Sequence, residues 1–185
     1  KHTWSTANDG VTKIAESWMY YDNQAHGSIG TKGLLTKKEN GLVFISGDAS
    51  NPTATMSYDS YGNLTSATDA RGFTTTITFD ATYNFLPVSS TNPLGHVTQT
   101  KYYGINADAG GSGLFRQVQQ VIDKNSNAVW SKYDVFGRII ASWNPNDSET
   151  YPTETKEYTL NTMPIRIKTS KREVSGQTGT LDGYE

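Results

Sequence analysis

A chain of 185 residues with a net charge of −2 and only 18% charged residues offers no electrostatic case for nucleic acid or an anionic membrane surface. It contains no cysteine, which excludes a disulfide framework and a thiolate metal site, and no apolar run long enough to span a bilayer. Thr, Ser, Asn and Gly fill the space that charges leave, a composition suited to a β structure rich in surface, and the length suits one domain or one slice of something larger.

Residues 1–52 read as an irregular N-terminal β segment with a long loop and one hairpin. KHTWS and VTKIAESWMYYD are each expected to be a strand, carrying Trp4, Ile14, Trp18 and Tyr20 among polar residues. A short helix over 15–21 is the alternative, and Gly10 and the aromatic cluster favour strand. NQAHGSIGTKG is Gly-rich and reads as a loop. Asn40-Gly41 is a two-residue hairpin signal, with Leu34 to Thr36 and Leu42 to Ile45 as its expected strands.

From residue 53 to 185 a turn signature recurs: an acidic or amide residue, two variable residues, then usually Gly. Asp59 pairs with Gly62, Asp69 with Gly72 and Asn92 with Gly95, while Asp80 has Tyr83 in the Gly slot. Asp or Asn at the first turn position bonds backbone two residues on, and Gly at the fourth accepts positive φ. Asp123, Asp134 with Gly137, and Asn144 repeat the device downstream. The turns lie 10–12 residues apart in each run, and short strands rich in Thr, aromatic and branched residues fill the intervals, as in an antiparallel all-β meander.

Every second turn follows an aromatic: Tyr58-Asp59, Phe79-Asp80 and Tyr133-Asp134, with Tyr102-Tyr103-Gly104 at the expected place between them. The unit of strand, turn, strand, turn is therefore about 21–23 residues, the period of a repeat architecture. In FTTTITF, Phe73, Thr75, Ile77 and Phe79 share one face and three threonines the other. NADAGGSG at 106–113 reads as a flexible insertion. LFRQVQQVI, AVWSKY and RIIASW are strands, 144–157 a loop, and EYTL with IRIKTS a last pair around Asn161 to Pro164. The four pre-turn aromatics Tyr58, Phe79, Tyr102 and Tyr133 are expected to stack as a ladder. The Gly-rich tail from Ser175 is expected to lead into a further unit, the whole being a fragment of a longer chain whose targeting signals lie outside it.

YDSYGNLTSATDARG and YDVFGRIIASWNP resemble the tyrosine-aspartate (YD) repeats of the RHS family: aromatic-Asp, two residues, Gly, Arg or Asn, an apolar residue, then often Thr. The matching positions are Tyr58, Asp59, Gly62, Asn63, Leu64 and Thr65 in one copy, and Tyr133, Asp134, Gly137, Arg138 and Ile139 in the other. Tyr21-Asp22 with the later GLLTK is similar to a copy opened by an insertion. The resemblance covers residues 18 to 185 and extends to the shell region of large bacterial toxins and of SpvB-like, toxin-complex B-type proteins. It implies a curved strip of β-hairpins, secreted or on the bacterial cell surface, that walls off a toxin or effector domain and has no catalytic role and no cofactor. The partners it implies are neighbouring YD repeats and the enclosed effector. The acidic Asp-Pro signature of the family's self-cleaving core does not occur in this sequence. A surface adhesin that binds carbohydrate or a partner protein is the other reading. Open sheet edges add the expectation of a dimer through edge strands.

Other chemistry is weakly signalled. His2, His26 and His96 lie far apart in sequence, and no nucleophile-base order, HExxH, P-loop or dinucleotide fingerprint occurs. Asp123, Asn125, Asn127, Ser131 and Asp134 fall at calcium-loop positions, but Ala128 takes the glycine slot, Asp134 replaces the Glu, and two hairpin turns explain the same residues. Trp4, Trp18, Trp130 and Trp143 are the candidates for stacking on sugar, against the alternative of a small core.

Overall fold

The polypeptide has too little apolar sequence for a thick core, and within each of its two compact units it pairs strands that follow one another in sequence. In a computed structural model, which describes all residues except 8, 11, 43–45, 108–112, 162, 179–181 and 185, the chain is all-β and antiparallel, with no α-helix among the described residues. The strands are β1 (His2–Thr6), β2 (Lys13–Tyr21), β3 (Leu35–Asn40), β4 (Thr53–Tyr58), β5 (Leu64–Thr68), β6 (Thr74–Phe79) and β7 (Pro87–Thr91). They continue with β8 (Val97–Tyr102), β9 (Val118–Ile122), β10 (Ala128–Tyr133), β11 (Ile139–Trp143), β12 (Glu154–Thr159), β13 (Arg166–Lys171) and β14 (Asp182–Tyr184).

Two compact units divide the chain. One comprises Lys1–Phe79 with Ser90–His96, the other Asp80–Ser89 with Val97–Glu185. In the first, β1 to β6 pair in sequence order. Its core lies on one face of β2 and β3, where period-2 alternation buries Glu16, Trp18 and Tyr20 against Glu39. Glu39 is 1% exposed, so its charge must be matched. The Tyr20 hydroxyl donates to it at 2.6 Å, the amide of Gly47 and the side chain of Asn51 at 2.7 Å each, and Lys37 lies at 3.4 Å. Burial pushes the Glu39 carboxyl up, and these donors and Lys37 bring it below the usual range.

In the second unit β8 to β14 also pair in sequence order. Its buried apolar residues are Leu86, Tyr102, Tyr103 and Tyr133, three of the four being tyrosines at the strand ends beside turns. Thr-rich strands face water at little cost, because a branched hydroxyl side chain suits both the pleat and solvent. In the first unit Thr68 and Thr74, opposite one another on β5 and β6, join hydroxyls at 2.7 Å.

Two expectations need correction. Asn40-Gly41 is not a hairpin turn: Asn40 ends β3, whose next partner is β4, and the Gly41 amide donates to the Glu16 carbonyl. Leu42 is exposed outside any strand, held by its amide to Asn51 Oδ1, and 43–45 lie outside the described residues. The loop over 144–157 is shorter than its polar composition suggests, since Glu154 already belongs to β12. There Glu154 pairs with Lys156 on its own strand and with Lys171 opposite it, each at 3.2 Å, so charge pairing supports the polar first half of β12 ahead of Tyr158. The insertion expected at 106–113 falls mostly outside the described residues.

Candidate functional site

The residues that carry the repeat are gathered at hairpin joints, and those headed by Asp59, Asp69, Asn92, Asp123 and Asp134 are built the same way. At Asp59 the amide donates to the Asn63 carbonyl while the Gly62 amide donates back to the Asp59 carbonyl, at 3.0 and 3.2 Å. Asp59 Oδ1 accepts the amides of Tyr61 and Asn63, both at 2.9 Å. This is a type I turn closed by a residue of positive φ and a bulge. Asp69 with Gly72, Asn92 with Gly95, and Asp134 with Gly137 reproduce both backbone bonds and both side-chain bonds. So does Asp123, although Ser126 replaces glycine there and adopts φ +66°.

Asp80 heads a longer turn. Its amide donates to the Leu86 carbonyl, and the positive φ falls on Asn84 rather than on Tyr83. The carboxylate, 4% exposed, accepts five amides: Oδ1 those of Thr82, Tyr83 and Asn84, Oδ2 those of Phe85 and Leu86. Burial alone pushes this carboxyl up, but the amides of Leu86, Tyr83, Phe85 and Asn84 overcome it and hold the group down at about 2. Phe79, which ends β6 just before this turn, is half-buried. In Asp134 the same balance of burial against the Arg138 amide and guanidinium lowers the carboxyl, with Arg138 at 2.6 Å.

The tyrosine of each repeat has a role that strand patterning does not reveal. Register shifts occur at Tyr21, Tyr58, Tyr102 and Tyr133, which stand opposite Leu35, Leu64, Val118 and Ile139. A bulge bends its strand and interrupts the ladder locally. The β9–β10 ladder stops at Gln120 and the β11–β12 ladder at Ala141, leaving the Val118 and Ile139 carbonyls beyond them. The next tyrosine spans that gap. Tyr133 donates its hydroxyl to Val118 O at 2.9 Å, and Tyr158 to Ile139 O at 3.0 Å. In the first unit Tyr58 donates to Leu35 O at 2.8 Å, and in the second Tyr102 donates to Pro87 O at 3.0 Å. The expected ring ladder is thus replaced by hydroxyl-to-carbonyl ties. The Tyr133 ring meets Tyr103 edge-on, centroids 6.1 Å apart, and burial raises both hydroxyls above the usual tyrosine range.

Joints of this kind hold no spare acid. Asp123 and Asp134 are eleven residues apart and lie beyond opposite ends of β10, whose six residues span roughly 20 Å at ordinary strand rise, so they cannot share an ion. Among the described residues no group of three His, Asp or Glu side chains is spaced for a metal. One further cluster forms where His2, 14 residues away, meets a pair that is local in sequence. His2 Nε2 lies 2.5 Å and Lys13 Nζ 2.8 Å from Glu16 Oε1, and His2 stacks on Trp18 and meets His26 edge-on. The Lys13 hydrogen bond, against burial, holds the Glu16 carboxyl below the usual range, with His2 assisting. Only the β1–β2 register, His2 opposite Trp18, brings them together. His96 caps the Asn92 turn through its amide.

Of the tryptophans, Trp130 and Trp143 are a cross-strand pair stacked at 5.8 Å with planes 9° apart, half-buried on β10 and β11. Trp18 is buried and Trp4 exposed.

No family model matches the chain, and no curated protein matches it in sequence. Solved structures do. The Photorhabdus luminescens Tc holotoxin pore is similar over 85% of this chain and 10% of its own, at 12% identity and a TM-score of 0.36. A TcdB2–TccC3–Cdc42 crystal structure is similar over 90% of this chain and 9% of its own, at 14% identity and a TM-score of 0.33. The TcdB2–TccC3 crystal structure covers 90% and 10%, at 11% identity and a TM-score of 0.31. The chain thus spans about a tenth of the length of these toxin chains.

Proposed function

We propose that this chain is a non-catalytic structural segment of an RHS/YD-repeat protein, a stretch of wall in a β-shell that encloses or presents a toxin or effector domain of a secreted or surface-exposed bacterial protein. The observation that carries this reading is where the YD residues go. Tyrosine ties one hairpin to a carbonyl of the one before, beyond the end of the ladder between them. The aspartate closes the turn and the glycine supplies its positive φ. All three motif positions are spent on joining ribbons, which is what a wall requires and a catalyst does not.

Protection from protease in the full-length native protein tests it. A domain following the repeats should resist cleavage while the joints are intact and become cleavable when Tyr133→Ala and Asp134→Ala open one of them. Equal cleavage in both proteins would overturn the shell reading. The half-buried Trp130–Trp143 pair supports the second reading, a surface module for carbohydrate. Glycan-array binding abolished by Trp143→Ala, with no protected domain, would favour it.

A further inference from the structure

We infer that Asn40-Gly41 is a site of spontaneous backbone modification, and that the pairing of β3 with both of its neighbours holds it shut. Asparagine followed by glycine is the pair most open to cyclisation, because glycine has no side chain to shield its amide nitrogen. The Gly41 nitrogen, once a base has taken its proton, attacks Cγ of Asn40. A bond from that nitrogen to Cγ forms, the bond from Cγ to Nδ2 breaks, and the side-chain nitrogen leaves as ammonia. Water then opens the cyclic imide at either carbonyl, leaving aspartate or isoaspartate at position 40.

Asn40 is exposed at the end of β3, so water and base reach it. What stands in the way is hydrogen bonding on both sides. The Gly41 amide, the nucleophile, donates to the Glu16 carbonyl on β2 at 2.8 Å, and the Asn40 amide donates to the Pro52 carbonyl, just before β4, at 2.9 Å. Asn40 stands opposite Ser17, whose hydroxyl donates to Asn40 Oδ1 at 3.1 Å and ties the side chain across to β2. One residue on, the Leu42 amide donates to Asn51 Oδ1 at 2.8 Å, and Asn51 Nδ2 donates to the buried Glu39 at 2.7 Å. Gly41 is thus fixed from both flanks. For the ring to form, its amide must leave Glu16 and the chain must rotate until the nitrogen meets Cγ, which breaks the end of the β2–β3 ladder. Strand amides held in this way are released only by local opening.

The change runs one way. Isoaspartate carries the main chain through its side-chain carbon, which adds an atom to the backbone between two hydrogen-bonded amides. It also places a second carboxylate next to Glu39, which is 1% exposed. A β3 end altered like this cannot restore both the Asn40–Pro52 and the Gly41–Glu16 bonds in their present register. The site therefore records how long this joint has stood open, and it does so whichever function the chain serves.

Incubation of the whole chain at mildly alkaline pH tests the inference. Peptide mapping must place the isoaspartate, since Asp9-Gly10 and Asp182-Gly183 can form it too. Residue 40 should convert at least tenfold more slowly in the folded chain than in the same chain unfolded in guanidinium chloride. Asn51→Ala, which frees the Leu42 amide, should speed conversion at 40 while keeping the circular dichroism of the parent. In case that variant does not fold, hydrogen exchange of the Gly41 amide in the parent is the second measurement, and it should be slowed at least tenfold relative to an open glycine amide. Equal conversion at 40 in the folded and unfolded chain, a folded Asn51→Ala that converts no faster than the parent, or a Gly41 amide without protection would overturn the inference.

Discussion

Tyr158 donates its hydroxyl to the carbonyl of Ile139, and Ile139 is the residue opposite Tyr133 at the bulge of the preceding hairpin. Tyr133 in turn donates to Val118, which stands opposite Tyr102. Each repeat tyrosine therefore secures the joint built by the one before it. The neighbouring ladder stops short of the bulge, and the tyrosine hydroxyl reaches the carbonyl that lies beyond its end. Tyr133→Phe should cost about 0.5–1.5 kcal/mol, the usual net worth of a hydrogen bond, with the upper end expected because the ring is buried. Tyr158→Phe, at a wetter joint, should cost less. Urea unfolding of the two variants checks the order; equal, negligible losses would mean that water serves the carbonyls as well.

The turns allow a comparison inside one molecule. Ser126 holds φ +66° in the slot that Gly62 fills at φ +90°. A side chain in the left-handed region costs roughly 1–2 kcal/mol. Ser126→Gly should therefore stabilise the chain, by about 0.5–1 kcal/mol after the greater freedom of glycine in the unfolded state is subtracted. Gly62→Ala should destabilise by about 1 kcal/mol through backbone strain alone, since nothing lies within 4 Å of the added carbon. Thermal unfolding midpoints moving in opposite directions are the expected result.

How far these features are legible in the sequence follows from their range. The turns are written in four or five consecutive residues, so Asp59, Asp69, Asn92 and Asp134 identify their hairpins without knowledge of anything distant. The strands between them follow from the same punctuation. The tyrosine ties are not local: Tyr58 reaches back to Leu35 and Tyr133 to Val118, and which carbonyl the hydroxyl meets depends on where a ladder stops. Asn40-Gly41 misleads for the same reason. A two-residue turn there competes with pairing of β3 to both neighbours and with a buried Glu39 that needs Gly47 and Asn51 close by, and the longer-range bonds win. In the His2–Glu16–Lys13 cluster, His2 joins the locally paired Glu16 and Lys13 only through the β1–β2 register.

Acid should loosen the turns in a predictable window. The Asp80 carboxyl is depressed to about 2, below an unfolded value of about 3.9. A depressed carboxyl contributes stability that is fully present above the unfolded value and is lost as pH falls through the folded one. Asp80 should therefore hold its turn down to about pH 4 and release it between about pH 4 and 2. Asp80→Asn keeps one acceptor oxygen but places an NH₂ where Phe85 and Leu86 donate. The variant should be less stable at pH 7, and the gap to the parent should close as pH falls toward 2. A gap that stays constant with pH would show that the charge of Asp80 is not what secures the turn.

The stacked tryptophans permit a separation of wall from ligand platform. Trp130 and Trp143 face each other across the β10–β11 pair with planes 9° apart, so each covers one face of its neighbour. Such a pair is worth about 0.5–1.5 kcal/mol beyond the area it buries. A double-mutant cycle with Trp130→Leu and Trp143→Leu should return a coupling of that size, and the far-ultraviolet circular dichroism should show an exciton couplet that either single variant abolishes. If the pair serves the sheet, a soluble oligosaccharide should leave the couplet and the intrinsic fluorescence unchanged. A saturable change in either signal, absent from Trp143→Leu, would instead assign the pair to carbohydrate.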